Sequence, residues 1–133
     1  MKTILLIAFI VTTLSAAGSN LTVIVAGIQI GKGNIIIDLY NSKETFLSKS
    51  LVSRTVKPDS SQMEIPFAVA EGEYSIAVFQ DKNNNGILDK GLFNIPQEPY
   101  GFSTNFRPTW SKPGFDDCKI EVTHQTVAKI FLK

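Results

Sequence analysis

The chain consists of short β-branched stretches separated by turn residues, and this rhythm constrains its fold more than any other feature. The clearest stretch, residues 74–81, alternates between two faces, as a strand does when one of its faces is buried. Turn-forming clusters such as 57–61 recur about every eight to twelve residues, and no long helical period stands between them. This pattern predicts an all-β fold, an antiparallel β-sandwich of about seven strands that is Ig-like or transthyretin-like.

The predicted strands differ in how their flanking residues constrain them. Residues 20–30 and 35–40 are joined by a turn at 31–34 and are predicted to form a hairpin. Pro66 cannot donate a ladder hydrogen bond, so its strand belongs at a sheet edge or at a bulge. Residues 41–50 are predicted to be an irregular link or a single helical turn. The full set of predicted strands is 20–30, 35–40, 51–56, 63–69, 74–81, 118–122 and 126–132.

Length and charge limit the classes of protein to which the chain can belong. Its 133 residues, of which 44% are hydrophobic, suffice for one domain that buries its own core without disulfides. The 13 Lys and Arg residues nearly balance the 12 Asp and Glu residues, which argues against a nucleic-acid partner. So high an apolar fraction also excludes an intrinsically disordered chain.

The first residues have the composition of a targeting signal. Lys2 precedes an apolar run at 4–11, and small residues follow it up to Ala17. The run is shorter than the roughly 20 residues that cross a bilayer. We therefore predict a signal peptide over 1–17, cleavage after Ala17, and a mature single domain over 18–133. The expected protein is periplasmic or secreted, monomeric, and without a membrane span after cleavage.

One long segment departs from the strand rhythm. Residues 90–117 show no strand pattern, yet they carry six aromatic residues and four of the six prolines. So many aromatic residues argue against disorder, and a connection of this length is usually functional. Two interpretations remain open: the loop 93–115 is a platform for a glycan or protein partner, or its rings form a satellite core. The residues of the predicted platform are Tyr100, Phe102, Arg107 and Trp110.

The sharpest motif is the acidic and asparagine-rich loop 81–89. It matches the first nine positions of an EF-hand-like calcium loop, with oxygen-bearing side chains at alternate positions and Gly86 at the sixth. The predicted calcium ligands are Asp81, Asn83, Asn85, Asp89 and the carbonyl of Ile87. Position 12 is Leu92, so the bidentate glutamate is missing, and Asp116 or Asp117 is a candidate to replace it. The alternative is a metal-free hairpin turn built on Asn85-Gly86.

Three stretches taken together resemble a known family. Residues 72–89 (GEYSIAVFQDKNNNGILD), 95–105 (IPQEPYGFSTN) and 113–122 (PGFDDCKIEV) resemble DUF2141, a family of small secreted bacterial proteins of uncharacterised function. The resemblance implies a β-sandwich of transthyretin-like or carboxypeptidase-regulatory-like type. In related sandwiches a Gly-x-Tyr strand followed by such a turn is frequently a calcium loop, which favours calcium by analogy of fold.

The residues needed for catalysis are scarce. Cys118 and His124, the single cysteine and the single histidine, are six residues apart and lie roughly 20 Å from each other on an extended chain. They are therefore not a Cys-His pair, and two such residues are too few for zinc. We expect Cys118 to be a buried residue on a strand and the protein to be non-enzymatic. An accessory domain of a hydrolase is the less favoured role.

Overall fold

The computed structural model describes residues 19–91, 95–109 and 111–133. The predicted signal peptide lies outside this part of the chain. Eight strands and one short helix form within it, together with a 3₁₀ turn at Ser103–Asn105. They are β1 (Leu21–Ala26), β2 (Asn34–Tyr40), β3 (Val52–Val56), β4 (Gln62–Phe67), β5 (Gly72–Asp81), β6 (Tyr100–Phe102), α1 (Phe115–Cys118), β7 (Ile120–Val122) and β8 (Thr126–Phe131).

The strands form two sheets that pack face to face. The smaller sheet has the order β4-β1-β8, and the larger has the order β3-β2-β5-β6, with β7 paired to the first residues of β5. The predicted all-β sandwich is therefore confirmed. It is not purely antiparallel, because β1 and β8 run parallel over their whole length.

The core lies between the sheets and follows from the alternation of side chains along each strand. Every second residue of β1, β2 and β5 points inward, so each strand contributes three buried apolar side chains to one cluster. These are Leu21, Val23 and Val25 from β1, Ile35, Ile37 and Leu39 from β2, and Tyr74, Ile76 and Val78 from β5. The buried cluster fixes which face of each strand is internal.

The predicted hairpin between residues 20–30 and 35–40 is wrong. β1 ends at Ala26 and pairs with β4 and β8, whereas β2 pairs with β3 and β5 in the other sheet. The apolar pattern continues past Ala26, but Gly27 has a φ of +80°, which ends the strand and turns the chain toward the second sheet. Buried Gln80 then holds the crossing segment, since its side chain bonds both the N–H and the carbonyl of Gln29.

Four smaller predictions concern Pro66, residues 41–50, Cys118 and the segment 90–117. Pro66 lies in β4, which is an edge strand as predicted. Residues 41–50 form an irregular link, the first of the two predicted alternatives: the Lys49 N–H bonds the Thr45 carbonyl oxygen at 2.9 Å, but Leu47 between them has a φ of +62°. Cys118 is buried, but it ends α1 and does not belong to a strand. Strand β6 lies inside the segment for which no strand was predicted, because only three residues, Tyr100–Phe102, are extended and their glycine weakens the pattern.

Substitutions at two neighbouring glycines distinguish the free-energy cost of backbone strain from that of a steric clash. Gly31 and Gly33 both have positive φ, +78° and +89°. A Cβ at Gly33 would lie 2.0 Å from the Asp81 carbonyl oxygen, whereas a Cβ at Gly31 meets nothing within 4 Å. We predict that Gly31→Ala lowers the free energy of unfolding by about 1–2 kcal/mol, and that Gly33→Ala adds a clash of roughly 1–3 kcal/mol. Urea denaturation of both variants measures the difference, and equal losses would contradict the predicted clash.

Candidate functional site

The loop that follows β5 folds around the carboxylate of Asp81. This last residue of β5 is 3% exposed, and its two oxygens accept hydrogen bonds from the backbone N–H groups of Asn85 (3.2 Å) and Gly86 (2.7 Å). Gly86 has a φ of +80°, the left-handed conformation that lets the chain reverse at this point. The chain reversal at Gly86, the sixth position of the loop, therefore closes the loop on the carboxylate of Asp81, the first position.

Three further predicted ligands converge on one point of the loop. The side-chain amides of Asn83 and Asn85 both donate to the carboxylate of Asp89, the second of them at 2.9 Å. The amide oxygens of the same two asparagines accept hydrogen bonds from backbone N–H groups within the loop. Ile87, the predicted carbonyl ligand, is one of the N–H donors and has a side chain that is 65% exposed.

Sequence reasoning missed Glu98, which closes the base of the loop. Its side chain is 6% exposed, and its carboxylate accepts hydrogen bonds from the backbone N–H groups of Lys82 (2.6 Å) and Asp89 (2.8 Å). The missing glutamate at position 12 of the loop was the feature of the sequence that pointed to such a residue, because it implied that a carboxylate from elsewhere in the chain supports the loop. Nothing in the local sequence singles out Glu98 from the other acids.

Asp116 and Asp117 do not replace the missing glutamate. They lie in α1, which bonds to Ser75 near the start of β5, whereas the loop follows the end of that ten-residue strand. Asp116 pairs with Lys43 at 2.8 Å, and this hydrogen bond lowers the pKa of its carboxyl. Asp117 accepts from the Gly114 N–H at 2.7 Å and caps the helix. Both acids therefore have other roles, far from the loop.

The aromatic segment is packed onto the larger sheet. Phe102 is 7% exposed, and its ring meets Tyr100 edge-on at 5.8 Å between centroids. The Arg107 guanidinium stacks 4.2 Å from the centroid of the Tyr100 ring and donates a hydrogen bond to the Tyr100 carbonyl at 2.8 Å. Trp110 lies outside the described residues. Among the predicted platform residues that are described, one ring is buried and the other is covered by Arg107.

Three of the five predicted ligand residues in the loop offer an oxygen that is not part of a carboxylate. In the described ranges, no three His, Cys, Asp or Glu side chains lie close enough together to hold a metal ion by themselves. A metal at the loop would therefore depend on the amide oxygens of Asn83 and Asn85 and on the Ile87 carbonyl, beside the carboxylates of Asp81 and Asp89. Hard oxygen donors of this kind suit calcium and do not suit zinc.

The two residues weighed for nucleophilic chemistry occupy different environments. Cys118 is fully buried, and burial, assisted by the charge of Asp117, raises the pKa of its thiol to about 12. His124 is exposed in the turn between β7 and β8.

Within the described part of the chain, no helix has the length and apolar character needed to cross a bilayer.

Fold and loop together define a two-sheet β-sandwich with an asparagine-rich loop at one end. The chain belongs to the DUF2141 family, described as an uncharacterized protein conserved in bacteria, whose family model matches residues 23–130. This confirms the resemblance found in the sequence. No curated protein and no solved structure matches the chain, so a transthyretin-like topology stays a prediction.

The environment of Cys118 predicts an unreactive thiol. A pKa of about 12 leaves about one thiol in ten thousand ionised at pH 8, and the sulfur is not accessible to solvent. We expect a thiol-specific disulfide reagent to leave the folded protein unmodified at pH 8 and to label one thiol per chain in urea. Rapid labelling of the folded protein would contradict this prediction.

The same shift predicts how stability depends on pH. The folded thiol holds its proton up to about pH 12, whereas the unfolded thiol loses it near its usual pKa of about 8.5. The free energy of unfolding therefore falls as the pH rises above about 8.5. In Cys118→Ala this contribution is absent, so urea denaturation between pH 8 and pH 10 should show a shallower decline than in the wild type. Equal slopes would contradict the buried neutral thiol.

Proposed function

We propose that this protein is a secreted, non-enzymatic β-sandwich whose loop 81–89 binds calcium in a structural role. One observation carries the proposal: Asn83, Asn85 and Asp89 converge through their side chains while the loop N–H groups wrap the carboxylate of Asp81. A type I′ hairpin turn on Asn85-Gly86 would need a positive φ at both residues, and of the two only Gly86 has one.

The donor chemistry supports calcium over other metals. Calcium takes six to eight oxygen ligands in flexible geometry, and the loop offers carboxylate, amide and carbonyl oxygens together. To bind a cation that shares the Asp89 carboxylate, the two asparagine amides would rotate and exchange the hydrogen bonds that their oxygens accept from the N–H groups of Asn85 and Ile87 for bonds to the ion. Because the loop contributes only two carboxylates, the expected dissociation constant is on the order of 10⁻⁴–10⁻³ M, as in extracellular modules.

The structural role rests on the position of the loop in the fold. Bound calcium would neutralise the negative charges of Asp81 and Asp89 and hold the loop ends together at the rim of the sandwich. The buried, protonated thiol of Cys118 supports a non-enzymatic role, since a nucleophile needs the thiolate and access to a substrate. The predicted signal peptide supports a periplasmic or secreted location, where free calcium is abundant enough for a weak site.

The glycan or protein platform receives less support. A platform that stacks on a sugar needs an open aromatic face. Phe102 is buried, and Arg107 already covers one face of Tyr100, so these residues favour a packed satellite core. We therefore assign no partner to the segment 93–115.

Thermal unfolding tests the calcium site. At 10 mM calcium, the expected affinity stabilises the fold by about 1.4–2.7 kcal/mol, which raises the Tm by roughly 5–10 °C relative to EDTA. Asp89→Asn removes one ligand charge with little change of shape, so we expect it to lose most of the rise. Asp59→Asn makes the same charge change in an exposed turn and should keep the rise in full.

Magnesium at the same concentration is the control for general screening by divalent ions. A wild-type Tm that calcium and magnesium raise equally, or that neither changes, would refute a calcium site. An equal calcium response in Asp89→Asn and in the wild type would show that the ion binds elsewhere.

A further inference from the structure

Glu98 joins the two ends of the loop through a buried charge. Its carboxylate holds the N–H groups of Lys82 and Asp89, and the neighbouring Gln97 N–H donates to the Asp89 carbonyl oxygen at 2.8 Å. A carboxylate that is 6% exposed depends on such partners, because a buried charge without them is costly. Opening the loop at either end would leave this charge unsatisfied, so Glu98 favours the closed loop.

The chain runs directly from Glu98 into the line of contact between β6 and β8, which we call the seam between the two sheets. Pro99 accepts a hydrogen bond from the Gln80 N–H, and Tyr100 exchanges two backbone hydrogen bonds of 3.1 Å with Lys133. The approach is close, since a Cβ at Gly101 would lie 2.6 Å from the Phe131 carbonyl oxygen. At this seam β6 of the larger sheet meets β8 of the smaller one.

Asn105 extends the seam along the open edge of β8. Its side-chain amide donates to the Lys129 carbonyl oxygen and accepts from the Phe131 N–H, both at 3.0 Å. The amide thereby satisfies edge groups of β8 that none of the strands in the described ranges pairs. The backbone of Asn105 has a φ of +54°, a conformation that glycine also adopts without strain.

From these contacts we infer that Glu98 is a positioning residue that couples calcium binding at the loop 81–89 to closure of the seam between β6 and β8. The inference rests on the proposed calcium site. The loop holds its ligands together only while Glu98 stays bonded to both loop ends, and Glu98 stays in place only while the segment behind it is docked on β8. Because coupling between two sites is reciprocal, calcium stabilises the seam and the docked seam raises the affinity for calcium.

Titration with calcium chloride, followed by calorimetry, tests the first half of the coupling. Glu98→Gln replaces one accepting oxygen with an N–H₂ group that faces a backbone N–H, so one buried hydrogen bond is lost. We expect calcium to bind this variant about tenfold or more weakly than the wild type. Glu71→Gln carries the same charge change in an exposed turn at the opposite end of β5 and should bind calcium as the wild type does.

Hydrogen exchange distinguishes coupling from a general loss of stability. In the wild type, calcium should slow exchange at the amides of Tyr100 and Lys133 more than at Asn20, whose N–H bonds Phe67 at the far end of the sandwich. In Glu98→Gln this excess at the seam should disappear. If Glu98 only stabilises the fold, calcium would slow the seam amides by the same excess in the variant.

Asn105→Gly tests the reverse direction without touching the loop. It deletes both side-chain hydrogen bonds to β8 while keeping a permissive backbone, so a reciprocal coupling predicts calcium binding a few-fold weaker than in the wild type. This variant decides the question if Glu98→Gln does not fold.

A wild type that binds no calcium refutes the proposed function together with the coupling. A wild type that binds calcium with the same affinity as both variants overturns the coupling alone.

Discussion

The structure depends on how the backbone N–H and carbonyl groups along the second edge of β5 find hydrogen-bond partners. One edge of this central strand pairs with β2 along seven residues, but the other edge is not covered by any single strand of the part of the chain that the structure describes. Different partners serve the second edge in turn, since buried backbone N–H and carbonyl groups need hydrogen bonds. Along the strand they are β7, the Ser103 hydroxyl, β6, the Pro99 carbonyl and, just beyond Asp81, the Glu98 carboxylate. Every one of them comes from residues 98–122.

This requirement explains the irregular path of the aromatic and proline-rich segment over residues 95–109 and 111–117. The segment crosses the edge of β5 and cannot run as one continuous strand, because it must also supply the seam with β8. Its rings fix the path instead: Phe115 packs edge-on against Phe46, which packs in the same way against Tyr40. Buried Ser75 and Ser103 bond the backbone at the crossing points, so the polar groups inside this satellite core are satisfied.

The candidate calcium loop is placed by the same arrangement. It begins where β5 ends, and the segment that completes the edge of β5 brings Glu98 beneath it. A loop with few carboxylates gains order from this support, since both of its ends are bonded before any metal binds. The loop and the seam therefore form one continuous set of hydrogen bonds at this end of the sandwich.

Local sequence determined the strands and the motif, and tertiary structure determined their partners. Alternation identified β2, β5 and β8 nearly to their ends, Pro66 indicated an edge strand, and Gly86 in the motif 81–89 indicated the sharp reversal of the chain there. These features depend on neighbours within a few residues, which a sequence displays directly. The parallel pairing of β1 with β8, the helical position of Cys118 and the role of Glu98 depend on residues far apart in the chain. Burial between two sheets selects such contacts, and no local pattern records which distant residue will satisfy a given edge.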